Sequence, residues 1–422
     1  MSVAVSEQKV AGPVKVNIQS EYGVLKTVLV HKPGEEIDRL TPYNLQSLLF
    51  EDIPFLPRMM EEHDNFVKTM QDEGIRVLYL EELLLDILQD KSTQMRLVTL
   101  SCDAFSMPSL ANIILKNYRS PEEVRDILFR GLTVGELDEK GTVVRSGLPD
   151  QRYDQFLLKP IPNAYFSRDP AAAIGNYIVS CKTHYDARVR ETLMVKEVFR
   201  KHPLFSENPG FIYGDAEDED RPYTVEGGDI IVLKNKVVAV GRSERTRAAA
   251  IHKLTKKLFN EGLADRVYEI AIPAERIYMH LDTVFTVVDE GLVVAYPKVM
   301  DEVQEIKRHE PIVKPFSNEI EVFSFQENRT FNKVLEDEFG RLKVIKTGNN
   351  DLRYAAREQR ADGTNVFAIA PSKVITYDRN TYTNQALVAE LGVGNVVLIP
   401  GSELVRGLGG PRCMTMPLQR EG

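Results

Sequence analysis

The apolar positions of this chain fall into short runs that alternate with segments of helical periodicity. The runs Leu25–Val30 and Val77–Leu80 are too short for helices and predict buried strands. From Glu81 to about Asp138 the pattern is helix-rich, and Ser120-Pro-Glu-Glu is a helix-start signal. Strand-like runs return at Phe156–Leu158, so we interpret the block between them as a helical insertion.

A hairpin followed by a helix recurs through the rest of the chain. Each hairpin consists of two apolar runs, and a polar residue opens the first run. Helices are predicted after three of the hairpins, at Ala187–Lys201, Glu244–Asn260 and Thr383–Leu391. The opening residues are Asp169, Asp229, Asp282 and Asn365. Spacings of roughly 50 to 85 residues suggest one repeated unit in a radial or stacked array, although apolar hairpins also recur by chance.

The opening residues have two interpretations. An Asp at a strand start usually caps a turn with its own side chain and needs no functional role. In a radial array, however, the strand starts converge, and several carboxylates would share a central pocket. The predicted architecture is α/β, with residues 1–80 in the first part of the repeated domain, residues 81–150 in the helical insertion, and residues 151–422 in the remainder.

The composition of the 422-residue chain is typical of a soluble globular protein, with 43% hydrophobic and 27% charged residues. A net charge of −9 without a basic cluster argues against a nucleic-acid partner. Three cysteines, Cys102, Cys181 and Cys413, suggest no disulfide framework and fit a reducing compartment. Met1–Val16 lacks the apolar core of a signal peptide, and no stretch has transmembrane length, so we expect a cytoplasmic protein without a membrane partner.

Cys413 is the leading candidate for chemistry because it lies in a glycine-rich loop beside Arg412. Glycines let the backbone approach a ligand closely, and a neighbouring cation favours the nucleophilic thiolate. His280 and Asp282 are two residues apart, which at strand spacing puts both on one face. Glu226 precedes the second opening aspartate across two glycines.

These residue types point to covalent chemistry on a cationic substrate. A cysteine with a histidine suggests nucleophilic catalysis, and paired carboxylates suit the N–H edges of a planar guanidinium. Cys102 and Cys181 are assigned to the ordinary role of small buried hydrophobic residues. A metal site is disfavoured because no close ligand pair such as Cys-x-x-Cys is present. The glycine pairs match neither a dinucleotide nor a P-loop fingerprint.

The chain resembles the arginine deiminase family over nearly its whole length. Each matching segment is weak alone, and their joint order is specific. The segments are Val28-Leu-Val-His-Lys-Pro-Gly34, Leu40-Thr-Pro42, Leu48-Leu-Phe-Glu-Asp-Ile-Pro54, Glu61-Glu-His-Asp64, Asn163-Ala-Tyr-Phe-Ser-Arg-Asp-Pro170, Glu226-Gly-Gly-Asp229, Met279-His-Leu-Asp-Thr283 and Arg412-Cys-Met-Thr-Met-Pro417.

This resemblance implies a five-bladed α/β propeller with a helical insertion, and hydrolysis of L-arginine to L-citrulline and ammonia without metal or organic cofactor. It implies that Cys413 attacks the guanidinium carbon and that His280 serves as general acid and base. Glu226 would orient His280 and contact the guanidinium, which Asp169 and Asp282 would bind. The other implied substrate-binding residues are Asn163, Arg188 and Arg245 at the α-carboxylate end, and Phe166 with the Leu40 to Asn44 segment along the pocket.

One position departs from the family pattern. Many members have Arg-Gly-Arg-Gly-Gly before the cysteine loop, whereas this chain has Arg406-Gly-Leu-Gly-Gly410, so Leu408 replaces a cation. This puts in doubt how the loop contacts the substrate carboxylate or gates the empty site.

Other functions and assemblies stay open. Dimethylarginine hydrolases, agmatine deiminases and amidinotransferases share the Cys/His/acid logic, but the helical insertion and tail motif favour an arginine deiminase. A non-catalytic binding protein on the same fold is disfavoured by retention of all the acids with Cys413 and His280. Homo-oligomerisation is left open.

Overall fold

The computed structural model describes residues 12–141, 155–215, 223–301, 303, 305–314, 317 and 319–421. Most of the segment assessed for a signal peptide, and residues 142–150 of the predicted insertion, lie outside the described residues. The described strands are β1 (Val24–Val30), β2 (Arg76–Tyr79), β3 (Leu132–Thr133), β4 (Phe156–Leu158), β5 (Ala171–Ile174), β6 (Tyr177–Ser180), β7 (Phe211–Tyr213), β8 (Ile230–Lys234), β9 (Val237–Arg242), β10 (Arg266–Ala271), β11 (Phe285–Asp289), β12 (Leu292–Ala295), β13 (Ile306–Val313), β14 (Ile320–Glu327), β15 (Lys343–Lys346), β16 (Phe367–Ala370), β17 (Lys373–Tyr377), β18 (Val396–Ile399) and β19 (Met416–Glu421). The described helices are α1 (Glu35–Asp38), α2 (Leu56–Asp72), α3 (Leu80–Ile87), α4 (Lys91–Asp103), α5 (Pro108–Asn117), α6 (Pro121–Arg130), α7 (Val134–Glu139), α8 (Val189–Lys201), α9 (Ala248–Asn260), α10 (Pro297–Met300), α11 (Phe331–Phe339), α12 (Leu352–Gln359) and α13 (Thr381–Leu391).

In the described part of the chain, five sheets share one topology. A first strand pairs antiparallel with a middle strand, and the middle strand pairs parallel with a third. The five triplets are β19-β1-β2, β5-β6-β7, β8-β9-β10, β11-β12-β15 and β16-β17-β18. A parallel pair needs a crossover connection, and helices α2, α8, α9, α11 and α13 lie in these connections. The hairpin-and-helix repeat predicted from the sequence is therefore present, and the chain's two ends complete one unit together.

The loops before the first strands of these sheets are joined by hydrogen bonds. Each loop contacts the loop of the next unit, and the loop at the end of the chain contacts the first. The bonds run from Gly227 N to Asp169 O (3.1 Å), from Leu281 N to Asp229 Oδ1 (2.8 Å), from Asn365 Nδ2 to Asp282 O (3.0 Å), from Cys413 N to Asn365 Oδ1 (3.0 Å), and from Arg168 N to Cys413 O (3.1 Å).

Most element boundaries agree with the sequence pattern within two residues, and α9 shows why one does not. The helix predicted from Glu244 begins only at Ala248. The preceding residues form a turn in which Ser243 Oγ accepts hydrogen bonds from Arg245 N at 3.0 Å and Thr246 N at 3.2 Å. A serine hydroxyl competes with helical backbone bonds in this way, so the turn delays the helix and leaves Arg245 beside the site.

Helices α3 to α7 occupy the stretch that the composition marked as helix-rich. The start of α6 is a capping box: Ser120 Oγ accepts from Glu123 N at 3.1 Å, and Glu123 Oε2 accepts from Ser120 N at 3.2 Å. The apolar faces of these helices share one buried cluster with the β5-β6-β7 sheet. None of the described helices is long and apolar enough to cross a bilayer.

Candidate active site

The loops before β5, β11 and β19 surround a narrow cavity of about 10 Å³. This volume is about that needed for one water molecule. Seven of the residues predicted from the sequence line the cavity: Asn163, Phe166, Asp169, Arg188, Arg245, His280 and Cys413. The rest of the lining is Leu49, Arg276, Met279, Gly407 and Leu408.

Glu226 orients His280. Its Oε2 lies 2.6 Å from His280 Nε2, and both side chains are buried. Its other oxygen, Oε1, accepts a hydrogen bond from His184 N at 2.7 Å, so the carboxylate is held on both sides. A Cβ at Gly228 would lie 2.7 Å from His280 Nδ1, so any larger residue there would collide with the imidazole.

The carboxylates around His280 keep its imidazole protonated. Burial disfavours the imidazolium, but Asp169, whose Oδ1 lies 3.6 Å from His280 Nδ1, and Glu226 outweigh burial and raise the pKa of His280 to about 9. Burial also opposes ionisation of Glu226, yet Arg245 and His280 hold its pKa well below the usual range. His280 therefore carries a proton at neutral pH that a leaving group can take.

Cys413 is fixed through its backbone, and its sulfur lies beside a carboxylate. Cys413 N donates to Asn365 Oδ1 at 3.0 Å, and Sγ is 3.7 Å from Asp282 Oδ2. Burial raises the pKa of the thiol well above its ordinary value, and the charges of Asp282 and Asp169 raise it further. The empty site therefore holds a neutral thiol, which is a weak nucleophile.

Arg412 does not activate this thiol as the sequence suggested. Its Nε and Nη2 donate to Glu21 at 3.1 Å each, and its Nη1 donates to Asp282 Oδ2 at 2.6 Å. Burial opposes the charge on Arg412, but these carboxylates raise its pKa above the usual value. Because two carboxylates neutralise the guanidinium, little of its charge is left to stabilise a thiolate on Cys413.

His280 and Asp282 reach the site from a turn, so the strand spacing expected for them is wrong. His280 is the extended residue before the 3₁₀ turn Leu281–Thr283, and β11 begins only at Phe285. His280 lines the cavity, while Asp282 lies behind it against Cys413. The turn, rather than a strand face, brings both side chains to one place.

Arg188 lies beside the carboxylate that the family resemblance assigns to the guanidinium. Its Nη1 contacts Asp169 Oδ2, and its Nε and Nη2 donate to Glu191 Oε2 at 2.9 and 2.6 Å. Asp169 Oδ1 and Asp282 Oδ1 are buried and make no hydrogen bond within the described residues. A buried oxygen left unsatisfied costs about 1 to 3 kcal/mol, so both are ready acceptors for an incoming N–H.

Two cavity arginines, Arg188 and Arg245, are predicted to bind the substrate carboxylate, and the Arg245 side chain makes fewer hydrogen bonds within the protein. Its Nη1 is 3.5 Å from Glu226 Oε2, and its guanidinium lies over the Tyr185 ring at 4.5 Å. Its Nε is buried and makes no hydrogen bond among the described residues. It forms only a long ion pair, 3.9 Å from Glu244 Oε2, so a closer acceptor can still bind it.

The residue that lines the cavity from the segment after Leu40 lies further along the chain than the family motifs indicated. Leu40 is buried in a hydrophobic cluster, and Asn44 caps its own turn through local backbone bonds. Leu49 lines the cavity instead, and Asn163 Nδ2 donates to the adjacent Leu48 O at 2.7 Å. Leu40 and Asn44 therefore do not line the site.

The opening residues Asp229 and Asn365 position loops rather than line the cavity. Asp229 Oδ1 accepts from Leu281 N and its Oδ2 accepts from Ser243 Oγ, so it joins neighbouring loops instead of capping its own turn. Asn365 connects the two halves of the site, since its Nδ2 donates to Asp282 O and its Oδ1 accepts from Cys413 N. Sequence reasoning noticed Asn365 as an opening residue but did not assign it to the site.

Leu408 forms part of the cavity wall at the position where the family pattern has a cation. Its φ is 64°, in the left-handed region that costs a non-glycine residue roughly 1 to 2 kcal/mol. An apolar side chain therefore faces the cavity from this loop. The cations that line the described cavity are Arg188, Arg245 and Arg276, together with the protonated His280.

Three site residues also form a possible cation-binding group. Asp169, Glu226 and His280 offer ligand atoms within 4.8 Å of one another. A metal would need the neutral imidazole, because a ligating nitrogen cannot carry a proton. The protonated state of His280 opposes that use, and a metal-free reaction stays a prediction.

Comparison with known proteins gives one family. A family model described as arginine deiminase matches residues 46–420. An arginine deiminase of Listeria monocytogenes serotype 4a (strain HCC23) is 39% identical over 413 residues, covering 96% of this chain and 98% of the relative.

Solved structures that resemble the chain are more distant. An amidinotransferase from Microseira wollei has a TM-score of 0.51 at 15% identity, covering 96% of this chain and 98% of that chain. A DDAH from Pseudomonas aeruginosa in complex with citrulline has a TM-score of 0.50 at 16% identity, covering 93% and 99%. These likenesses show the fold, a mixed α/β architecture, which confirms the predicted class at that level.

Proposed function

Because this chain belongs to the arginine deiminase family, it hydrolyses L-arginine to L-citrulline and ammonia, and we propose that the reaction passes through a covalent S-alkylthiouronium intermediate on Cys413. The observation that carries this mechanism is the placement of the buried Cys413 thiol in one cavity with Asp169 and the protonated His280.

The guanidinium binds first to the two aspartates. Asp169 Oδ1 and Asp282 Oδ1 accept its N–H groups, which satisfies both buried oxygens. The positive charge offsets the carboxylates that suppress ionisation of Cys413, so the S–H bond breaks and the thiol proton passes to solvent water as the substrate arrives. Sγ then attacks the guanidinium carbon, and an S–C bond forms.

Two proton transfers at His280 complete the reaction. His280 gives its proton to the leaving nitrogen, the C–N bond breaks, and ammonia departs from the thiouronium. Neutral His280 then takes a proton from water as the water oxygen bonds to the same carbon. The C–S bond breaks as the remaining hydroxyl proton of the adduct passes to the departing sulfur, so the Cys413 thiol is restored and the C=O group of citrulline is formed. Glu226 holds the imidazole in place and stabilises its charged form through both steps.

The amino-acid end of the substrate lies toward Asn163, Arg188 and Arg245. Arg245 supports this role best, because its buried Nε is available to a carboxylate oxygen. Arg188 contributes at most one N–H of its Nη1, because the guanidinium is shared with Asp169 and Glu191 and its Nη2 also donates to the Asn163 and Phe166 carbonyls at 3.2 Å. Phe166 packs along the aliphatic chain, with Leu49 opposite, and Leu40 and Asn44 take part only if their segment moves on binding.

We also propose that the five repeated units surround one axis as a five-bladed α/β propeller with the helical block, residues 81–150, as an insertion between residues 1–80 and 151–422. The support is the closed series of hydrogen bonds between loops, from Asp169 through Asp229, Asp282 and Asn365 to the Cys413 loop and back. A closed series is the expected result of radial closure.

The cellular setting is proposed on the same terms. We place the enzyme in the cytoplasm, working without a cofactor and without nucleic-acid or membrane partners. Homo-oligomerisation is compatible with the outer hairpin of β13 and β14, where Ile312, Val313 and Phe323 are exposed. Mass measurement in solution tests the oligomer.

The function is tested by measuring citrulline release from L-arginine, with agmatine and N-methylated arginine as competing substrates and a chelator in a parallel reaction. We expect turnover of L-arginine alone and no effect of the chelator. Preference for agmatine or methylated arginine would favour a related guanidine hydrolase. Loss of activity with the chelator would assign Asp169, Glu226 and His280 to a metal.

Asp169→Asn and Asp282→Asn are each expected to cost about 2 to 5 kcal/mol of transition-state stabilisation, as removal of one partner of a buried charge pair does. We expect kcat/KM for L-arginine to fall in both variants. Because each aspartate also pairs with a buried arginine, Tm should fall as well. The fall in Tm should be limited, because Arg188 keeps Glu191 as a partner and Arg412 keeps Glu21. Asp229→Asn is the comparison variant: Asp229 is equally buried but acts on the site only through the Leu281 backbone and the pKa of His280, so its loss of kcat/KM should be smaller. Normal turnover by either variant would reduce that aspartate to a turn cap.

The thiol of the empty enzyme is expected to titrate above the ordinary cysteine value, because burial, Asp282 and Asp169 all raise its pKa. The rate of inactivation by a neutral alkylating agent, measured against pH, reports this pKa. A small amidinium that fills only the guanidinium subsite should move the profile to lower pH, since added positive charge favours the thiolate. If the apparent pKa of inactivation lies below neutrality and the amidinium does not shift it, the thiolate is preformed.

A further inference from the structure

A second cavity, of about 210 Å³, adjoins the active-site cavity. Arg276, Met279 and Leu408 line both, so they form the wall that the two spaces share. The residues that line only the second cavity are Glu51, Ile277, Thr283, Gln359, Arg360 and Asp362.

This cavity runs from the surface toward the interior. Ile277 is 42% exposed, and Glu51 and Arg360 are exposed with it at the mouth. Glu51 pairs there with Arg276 at 3.1 Å and with Arg360 at 3.8 Å, which neutralises part of the charge at the entrance. The inner wall is formed by buried residues, among them Asp362.

Asp362 is a buried carboxyl group without a use in the mechanism above. The residue is 6% exposed, and its side chain makes no hydrogen bond or ion pair within the described residues. Its backbone is held from both sides, since Asp362 N donates to Gln359 O and Asp362 O accepts from Asn365 N. Asn365 in turn binds the backbone of Cys413, so the carboxyl group is positioned relative to the nucleophile.

The covalent reaction requires small molecules to leave and enter the site while the rest of the substrate stays bound. Ammonia must leave and water must enter between the two proton transfers of His280. The main cavity has room for about one water molecule when empty. When the amino-acid part of arginine fills that cavity, ammonia and water cannot pass through it.

We propose that the second cavity is the passage through which ammonia leaves and the hydrolytic water arrives, with the Asp362 carboxyl group as the proton donor and counter-ion for ammonia. This inference rests on the covalent mechanism proposed above. Neutral ammonia crosses the shared wall beside Leu408 and Met279, the two apolar side chains there, while the charge of Arg276 in the same wall is paired with Glu51.

The chemistry of Asp362 suits this role. Burial and, after it, the charge of Asp282 raise its pKa to about 8, although Arg360 and Arg379 oppose the shift. Near neutral pH the carboxyl group carries a proton that ammonia can accept: the O–H bond breaks as an N–H bond forms. The product is an ammonium ion paired with a carboxylate, which solvent at the mouth can take up.

The test compares Ile277→Trp, which narrows the mouth without touching the main cavity, with Ile312→Trp, a matched change at a 44% exposed isoleucine on β13. The full-length enzyme is mixed with L-arginine, and the Cys413 adduct is followed by rapid-quench mass spectrometry. Isotopically labelled ammonium is added in a parallel reaction, and its incorporation into arginine reports return of ammonia to the adduct.

In Ile277→Trp we expect the adduct to decay on the order of tenfold more slowly, as when product release limits turnover. Label incorporation into arginine should fall, and KM should change little. Asp362→Asn should also lower incorporation at unchanged KM, and it decides the test if Ile277→Trp does not fold. Ile312→Trp should match the wild type.

Three results would overturn the inference. If the wild type forms the adduct, and the variants Ile277→Trp and Asp362→Asn both leave its lifetime and the label incorporation unchanged, the passage is ruled out and the covalent mechanism stands. A raised KM with a normal adduct lifetime does the same, because it makes this cavity the route of L-arginine. Absence of any adduct in the wild type overturns the covalent mechanism, and the passage with it.

Discussion

Cys413→Ser is expected to abolish citrulline formation while leaving the fold intact. The serine hydroxyl ionises far less readily than the thiol, and the surrounding carboxylates that already raise the pKa of Cys413 would oppose an alkoxide still more. Arg412 cannot supply the missing activation, because Glu21 and Asp282 neutralise it. Citrulline assays alongside a melting curve measure both outcomes.

Cys181→Ser is the control for this substitution. Cys181 is as buried as Cys413, at 4% exposure each, and burial raises the pKa of its thiol as well. It lies on the far side of the acid cluster and does not line the cavity. We expect Cys181→Ser to lose some stability, as buried hydroxyl groups do, and to retain turnover. Near-native activity of Cys413→Ser would refute the covalent mechanism.

His280→Ala is expected to lower kcat by about 10² to 10⁴-fold, the usual contribution of a general acid or base. Its imidazolium, whose pKa is raised to about 9, is the proton donor in the cavity for the departing ammonia. Its neutral form is also the base for the second step, so both the formation and the decay of the Cys413 adduct should slow. Rapid-quench mass spectrometry of Cys413 separates the two steps.

His309→Ala is the matched control for the histidine. His309 is buried at 3%, bonds Ser324 Oγ at 2.7 Å and lies 3.5 Å from Glu269, in the sheet formed by β10, β13 and β14. It therefore shares burial and a carboxylate neighbour with His280 but is remote from the cavity. Equal rates in the His280→Ala variant and the wild type would remove His280 from the mechanism.

Much of the architecture was accessible to sequence reasoning because it depends on local patterns. Short apolar runs predicted the strands, and helical periodicity predicted α8 and α13 within two residues. The family was recognised from ordered motifs, and the comparisons confirm it. The side-chain turn at Ser243, which delays α9, is a local feature that periodicity alone does not capture.

The amino-acid sequence by itself determined which groups this protein carries and in what order they open its hairpins: a cysteine in a glycine-rich loop, a histidine, and a series of acids. It did not determine which opening residues face the cavity. Asp169 lines the cavity and Asp282 lies behind it against Cys413, each with an unsatisfied buried oxygen, whereas Asp229 accepts a hydrogen bond from Leu281 N of the next unit, and all three look alike along the chain.

Only the tertiary structure decided the charge state of the site. Adjacency in sequence suggested that Arg412 would promote the thiolate of Cys413, but the arginine turns to Glu21 and Asp282, which are distant along the chain. Burial and these long-range pairs set the pKa values, so the empty site holds a neutral thiol beside a protonated His280. The physical reason is that electrostatic energies depend on distance and solvent exposure in the folded chain, and neither quantity is encoded locally.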